Sequence, residues 1–406
     1  MIRRPPRSTL DRSSAASDVY KRQKQSLTKI LAMGADNAVH LHTDEIIYDC
    51  MSIANIISEE IKQQIQSAAI TQGFYAANMP TSLGGGGLDS VSLVLMDREL
   101  GRASYALQNL VARPHNILLA CSAAQVDQYL IPAINGERLE CVALTEPNAG
   151  SDLHSMGTSA VKSDDGWCIN GVKHFISRAD IADFVILFAR SGVAEPGTEE
   201  RALITAFLVD KDSAGLSVQA GYTSLCHPAY RNFILYFEDC IVPEENILGE
   251  IHRGFDVAND WLMSTRLQVS AMALGRARRA FEESKEWAAN RKQFGQPIGR
   301  FQGVSFQLAD MYVELIAAEL LTLEAAWKND RGHMSMADAS AAKLASTEML
   351  GRVADRAVQI LGGMGVMQES SVARIWRDAR VERIWDGTSE IQRDTISRDM
   401  LHALEG

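Results

Sequence analysis

Apolar residues recur at three- and four-residue spacing early in the chain. Ile47, Met51, Ala54, Ile57, Ile61 and Ile65 mark one face of a helix. Pro80 and the glycine run 84–87 break the period. Asp89 stands where an N-cap belongs, ahead of Val91, Leu95 and Leu100. A third helical stretch runs from Tyr105 to Cys121, interrupted near Pro114. Near residue 140 the pattern shifts to short β-rich runs: CVALTE, WCING, KHFIS, DFVILFA, ALITAFLVD, LSVQAGY and NFILYFEDCIVP. Turn residues separate them, among them Asp164-Asp165-Gly166, Asn170-Gly171 and Glu195-Pro196-Gly197. Their alternation predicts antiparallel β structure, a small barrel or a sandwich. From about 254 the helical period returns in three long stretches, 254–295, 301–327 and 336–363, with Ala-rich faces suited to a bundle.

This layout predicts an α+β fold: an N-terminal helical domain over 24–140, a middle antiparallel β domain over 141–253 and a C-terminal four-helix-type bundle over 254–406. Residues 1–23 are Arg- and Ser-rich and hold no apolar run. They resemble adapter-derived read-through rather than a secretory signal, and are expected to lie outside the fold as a non-native or disordered leader.

A core of this size needs no disulfide or metal staple. Six scattered cysteines form no C-x-x-C pair, which argues against a zinc ribbon, a thioredoxin-type site or a secreted scaffold and points to a reducing compartment. No run of about 18 apolar residues is present to span a membrane. Net charge is −11, and the leader is basic, so the body is more acidic still. An acidic body without a basic stripe disfavours nucleic acid as a partner.

No G-x-G-x-x-G follows a strand, no P-loop occurs, and nine dispersed histidines suggest no triad. Five phrases, however, follow one another in order: LTEPNAGSDL (144–153), NGVKHFIS (170–177), NRKQFGQPIGRFQ (290–302), QILGGMG (359–365) and RIWDGTSEIQR (383–393). In these phrases, and over about 44–404, the chain resembles the acyl-CoA dehydrogenase family of flavoproteins. The resemblance implies FAD as cofactor and α,β-dehydrogenation of an acyl-CoA thioester to a 2-enoyl-CoA. It implies electron transfer to an electron-transfer flavoprotein, a homotetramer, and a cytoplasmic location in bacteria or the mitochondrial matrix in eukaryotes.

By the same resemblance Leu144, Thr145, Gly150 and Ser151 line the flavin, with Ser151 also near the pantetheine end of the substrate. Phe175, standing where Trp is commoner, shields the ring beside Ile176, and Ser177 donates a hydrogen bond at flavin N5. Gln359, Gly362 and Gly363 meet the pyrophosphate of a neighbouring subunit's FAD. Arg291, Gln293, Phe294 and Gln302 are expected to grip it too, an Arg suiting phosphate. Thr388 and Glu390 match positions that touch FAD.

The informative departure is Asp386. The family usually has Glu before the Gly-Thr of this phrase, and that carboxylate takes the α-proton. A second lineage carries its Glu just before the Arg equivalent to Arg266; here that position is Thr265, so Asp386 is the expected base. Asp is one methylene shorter, and a misplacement of about 1 Å can cost roughly 100-fold. The pocket is therefore expected to be remodelled, or the substrate to differ from a plain fatty acyl chain. The backbone N–H of Asp386 is implied in polarising the thioester carbonyl. Arg266 and Gly387 are expected at the substrate, with a surface Arg as the competing reading for Arg266. Arg113 on the wall of the acyl site would favour a short or polar acyl group. Nitroalkane oxidases also resemble this family and use Asp at this position, which leaves a nitroalkane oxidase-like or other Asp-based flavin oxidase as the rival reading.

Overall fold

The computed structural model describes residues 59–103, 105–111, 114–193, 202–228 and 230–402. The leader, the first part of the helix predicted from Ile47, Arg113 and the turn expected at 195–197 lie outside the described residues.

Two helices lead the described chain, α1 (Glu59–Thr71) and α2 (Ser90–Leu100). Asp89 caps α2, accepting the Ser92 N–H at 2.8 Å, because its short carboxylate satisfies a donor that the first helical turn leaves free. The stretch from Tyr105 is broken as its proline predicts: α3 (Tyr105–Leu110) is followed by a 3-10 turn at Asn116–Ala120.

The middle of the chain forms eight strands of one sheet among the described residues: β1 (Glu140–Ala143), β2 (Ser159–Ser163), β3 (Gly166–Ser177), β4 (Phe184–Gly192), β5 (Leu203–Asp210), β6 (Leu216–Ala220), β7 (Asn232–Val242) and β8 (Ile247–Leu248). They lie in the order β6-β7-β3-β2-β4-β5-β8, with β1 beside β4. WCING and KHFIS prove to be one bulged strand, β3. The expected antiparallel pattern needs correction at two pairs, both parallel: β1 with β4, Cys141 opposite Val185, and β2 with β4, Ser159 opposite Arg190. Period-two alternation divides the sheet's faces. Phe184, Ile186 and Phe188 pack with the N-terminal helices, around Ile65, Tyr129 and Ile134. Val185, Leu187 and Ala189 join Trp167, Phe207, Leu235 and Phe237 in a core the curled sheet keeps to itself.

Three long helices follow: α4 (Gly254–Asn290), α5 (Gln302–Asp330) and α6 (Met336–Leu361), then α7 (Ser371–Glu382) and α8 (Ser389–His402). The predicted 254–295 helix stops at Asn290 because the Arg291 backbone turns extended and a hairpin, β9 (Lys292–Gln293) with β10 (Gln296–Pro297), begins. Ala273, Ala277 and Ala280 of α4 meet Leu350, Val353 and Ala354 of α6 in the bundle core. Gly275 lets α4 cross α2 closely, since a Cβ there would lie 2.0 Å from the Arg98 carbonyl oxygen. α4 and α6 are tied near one end of the bundle, where Arg266 donates to the Ser340 hydroxyl at 3.0 Å.

Candidate active site

Asp386 sits on the turn between α7 and α8. Its φ is +53° and that of Gly387 is +92°. Two consecutive left-handed residues are costly, and Gly tolerates the second at little expense. Space reinforces that choice: a Cβ on Gly387 would lie 2.7 Å from Gln392 Nε2. Two buried side chains hold the turn. Lys343 Nζ of α6 donates to the carbonyls of Trp385 at 2.8 Å and Gly387 at 2.7 Å. Gln392 Nε2 donates to those of Asp386 at 3.1 Å and Gly387 at 2.9 Å. Sequence reading singled out neither. Lys343 and Gln392 are 43 residues before and 6 after Asp386 by number, and only the fold joins them.

Electrostatics single out the same carboxyl. Burial pushes the Asp386 pKa up, Lys343 opposes it, Glu382 adds to it and Arg266 opposes it; the net direction is upward. Burial also depresses Lys343, to about 8. Arg266 is buried, which disposes of the surface reading, and it donates to Met336 Sδ at 2.8 Å as well as to Ser340. Its pKa falls by burial, against the attraction of Asp386. A carboxylate raised by burial yet flanked by two cations suits abstraction of a weakly acidic proton.

Aromatic rings gather beside this carboxyl. Trp385, Tyr105 and Tyr230 are mutually packed, and the Tyr230 hydroxyl hydrogen-bonds that of Ser177 at the end of β3. Burial raises both phenols, and Asp386 adds to each. The sequence reading named Ser177 and Asp386 but missed Tyr105 and Tyr230, whose positions carry no motif.

The LTEPNAGSD segment is set by a buried ion pair. Lys173 Nζ of β3 donates to Glu146 at 2.8 Å and to the Leu144 carbonyl at 3.0 Å. Glu146 also accepts the backbone N–H groups of Gly157 and Thr158. The Thr145 carbonyl accepts the His174 N–H at 2.8 Å. Leu144 and Ile176 bury their side chains in the core. Gly150 and Ser151 are exposed, with nothing within 4 Å of a Cβ on Gly150. Phe175 has φ +58°, is 55% exposed and stacks on His174 at 3.9 Å. Thr388 caps α8 by accepting the Ile391 N–H at 3.3 Å, with Glu390 exposed beside it.

The remaining predicted residues stand elsewhere. Arg291, Gln293, Phe294, Gln302, Gln359, Gly362 and Gly363 are all exposed at the opposite end of the bundle. Gln359 lies about 24 Å from Lys343 along α6, at 1.5 Å per residue. Phe294 is 93% exposed, and a Cβ on Gly362 or Gly363 would meet nothing within 4 Å. A separate cavity of about 380 Å³, lined by Asp89, Asp97, Asp260, Met263 and Asp330 among others, includes no residue of the Asp386 turn. Among the described residues no helix is long and apolar enough to cross a membrane, and no cluster suits a metal ion.

Comparison with known proteins agrees with the fold. Three family models match in succession: the acyl-CoA dehydrogenase N-terminal domain over 49–137, the middle domain over 141–240 and the C-terminal domain over 252–401. The chain is 36% identical over 349 residues to the caffeyl-CoA reductase-Etf complex subunit CarC of Acetobacterium woodii, covering 85% of this chain and 91% of that one. Among solved structures, butyryl-CoA dehydrogenase from Megasphaera elsdenii is similar with a TM-score of 0.79 and 31% identity, over 93% of this chain and 98% of that one. The FAD complex of PigA is similar with a TM-score of 0.81 and 27% identity, over the full length of both. The chain belongs to the acyl-CoA dehydrogenase family of FAD-dependent oxidoreductases. The residues present fit that cofactor: an exposed ring at Phe175, a hydroxyl at Ser177, and glycines with open space where a Cβ would stand.

Proposed function

We propose that this chain oxidises an acyl-CoA thioester between Cα and Cβ, with Asp386 as the base that takes the α-proton. The observation carrying this reading is the Asp386 carboxyl itself, raised by burial and flanked by Arg266 and Lys343 on a strained turn. Bound FAD supplies the two-electron acceptor this reaction needs. Leu144, Thr145, Gly150, Ser151, Phe175, Ile176, Ser177, Thr388 and Glu390 would hold it from one subunit. The Arg266 charge favours the ionised carboxylate, and Ser151 and Gly387 stand on the substrate side.

Arg291, Gln293, Phe294, Gln302, Gln359, Gly362 and Gly363 would hold the cofactor of a second copy, since they lie far from Asp386 in their own chain. A second feature supports assembly. Phe306, Val313, Leu320 and Trp327 recur every seven residues on α5 and are 61%, 65%, 63% and 52% exposed. Such a stripe is the pattern of a helix awaiting a partner helix. The expected state is a homotetramer, and an electron-transfer flavoprotein is the expected electron acceptor, as the name of the Acetobacterium relative favours.

Asp386→Asn tests the reading. FAD should remain bound, while anaerobic flavin bleaching by the best acyl-CoA slows by about 100-fold or more, the scale of general-base catalysis. Near-normal bleaching would remove Asp386 from the role. Bleaching by nitroethane but by no thioester would favour the oxidase alternative.

A further inference from the structure

An aromatic cluster packs beside Asp386. Ring centroids lie 5.4 Å apart for Tyr105 and Tyr230, 5.7 Å for Tyr105 and Trp385, and 5.7 Å for Tyr230 and Trp385. At these separations the rings touch, and no alkyl chain passes between them. The cluster is braced from behind. Trp385 Nε1 donates to Glu382 at 3.0 Å, and the His227 ring stacks on Trp385 at 5.4 Å with an interplanar angle of 1°. His227 Nε2 in turn meets Glu382 at 3.0 Å, its backbone N–H donates to Asp378 at 2.8 Å, and Arg276 donates to Glu382 at 2.7 Å. His227, Asp378, Glu382 and Arg276 are all buried. Swinging Trp385 outward would break into this network of buried charges, which is strongly unfavourable.

We infer that this cluster ends the acyl channel, so that the protein selects CoA thioesters of short linear acyl groups, with Tyr105 and Tyr230 setting the limit. The inference rests on the proposed α,β-dehydrogenation. In that reaction Cα lies at Asp386 and Cβ toward Ser177. Tyr230 stands at the Ser177 end of that path, its hydroxyl bonded to that same Ser177. Rings so placed limit the acyl group to a short chain. Further methylenes meet the two tyrosine rings, which touch each other. Neither ring yields easily, because each leans on Trp385 and Trp385 is anchored by Glu382.

The test uses the FAD-loaded protein mixed anaerobically with butyryl-, octanoyl-, palmitoyl- and 3-phenylpropanoyl-CoA. Calorimetric binding of the linear chain lengths as non-oxidisable thioethers accompanies it. Butyryl-CoA is expected to bleach the flavin at least about 100-fold faster than palmitoyl-CoA, because a blocked chain misplaces Cα and Cβ. Thioether affinity should not rise beyond the short chain, whereas an open apolar channel would tighten binding about fourfold per added methylene. Tyr105→Ala should raise the octanoyl-to-butyryl rate ratio about tenfold. Tyr105→Leu serves if the alanine variant does not fold. Palmitoyl- or 3-phenylpropanoyl-CoA acting within about tenfold of butyryl-CoA in the unaltered protein would overturn the limit. So would an unchanged ratio in a folded Tyr105 variant. If no thioester bleaches the bound flavin, the proposed reaction fails, and the thioether series still decides the length of the channel.

Discussion

The two ends of α6 make opposite use of the same helix. Around Lys343 the side chains are tied down: the ammonium binds two carbonyls of the Asp386 turn, Gln392 Nε2 binds two, and Arg266 reaches Ser340 and Met336, although Gln392 Oε1 and Arg266 Nε are left unpaired. Around Gln359 the picture reverses. Arg291, Phe294, Gln302 and Gln359 stand exposed on the surface, where the uncovered apolar stripe that runs along α5 begins at Phe306. One end is finished within the chain; the other, on the proposed reading, is finished by a second copy. Reactive geometry needs fixed neighbours, and a turn built on two left-handed residues holds its shape only when its surroundings over-determine it. A cofactor grip contributed across an interface needs no such bracing until the partner arrives.

The comparison is broken most severely at the finished end. Lys343→Met removes the donor shared by the Trp385 and Gly387 carbonyls and one cation near Asp386. Gln392 still serves the Gly387 carbonyl, so the Trp385 carbonyl is the one left unpaired, at a cost of about 1–3 kcal/mol, and the melting temperature should fall. Flavin reduction should drop by about 100-fold as the turn relaxes. A variant that melts lower yet reduces its flavin at the normal rate would show that Lys343 braces the fold and not the carboxylate.

At the unfinished end, the stripe should govern assembly. Leu320→Glu with Val313→Lys places charges where a partner helix is expected. Light scattering should then report a smaller species, and FAD content should fall with it. An unchanged mass would move the interface away from α5. A milder form of the same test is Arg291→Ala, expected to weaken FAD binding about tenfold through loss of a charge-assisted contact, with the turnover of loaded protein little changed. FAD binding that survives both variants would return those residues to the solvent.

How far the sequence foretold this contrast depends on whether contacts are local. The helices were legible because their period is local, and Asp89 was legible as a cap because its partner, Ser92, follows within the same turn. The five phrases named Asp386, Ser177 and the exposed Arg291 hairpin because each is a contiguous string. β2 went unread because SAVKS offers little apolar alternation, with Lys162 and Ser163 at its exposed and half-buried end. The parallel pairing of β1 with β4 joins segments far apart in the chain, Glu140 opposite Phe184, and no pattern within either strand announces it. The same holds for Lys343, Gln392, Tyr105 and Tyr230. Their roles come from the turn and rings they touch, which tertiary structure alone brings near.

The smallest effect is the most specific. Asp386 must be ionised to accept a proton, so flavin reduction should rise with pH through its folded pKa. Burial raises that pKa above the ordinary Asp range, so the midpoint should sit above that range. Lys343 lowers it, by favouring the anion. Removing that charge in Lys343→Met should therefore shift the midpoint upward, whereas loss of turn geometry alone would lower the plateau and leave the midpoint in place. Lys343→Arg keeps a cation in the neighbourhood and should restore the midpoint even where its bulk prevents recovery of the plateau. A midpoint that moves downward in Lys343→Met would mean that the carboxylate is not held against this ammonium. The same rate series would then have to be explained by Arg266, the second cation that favours the ionised form.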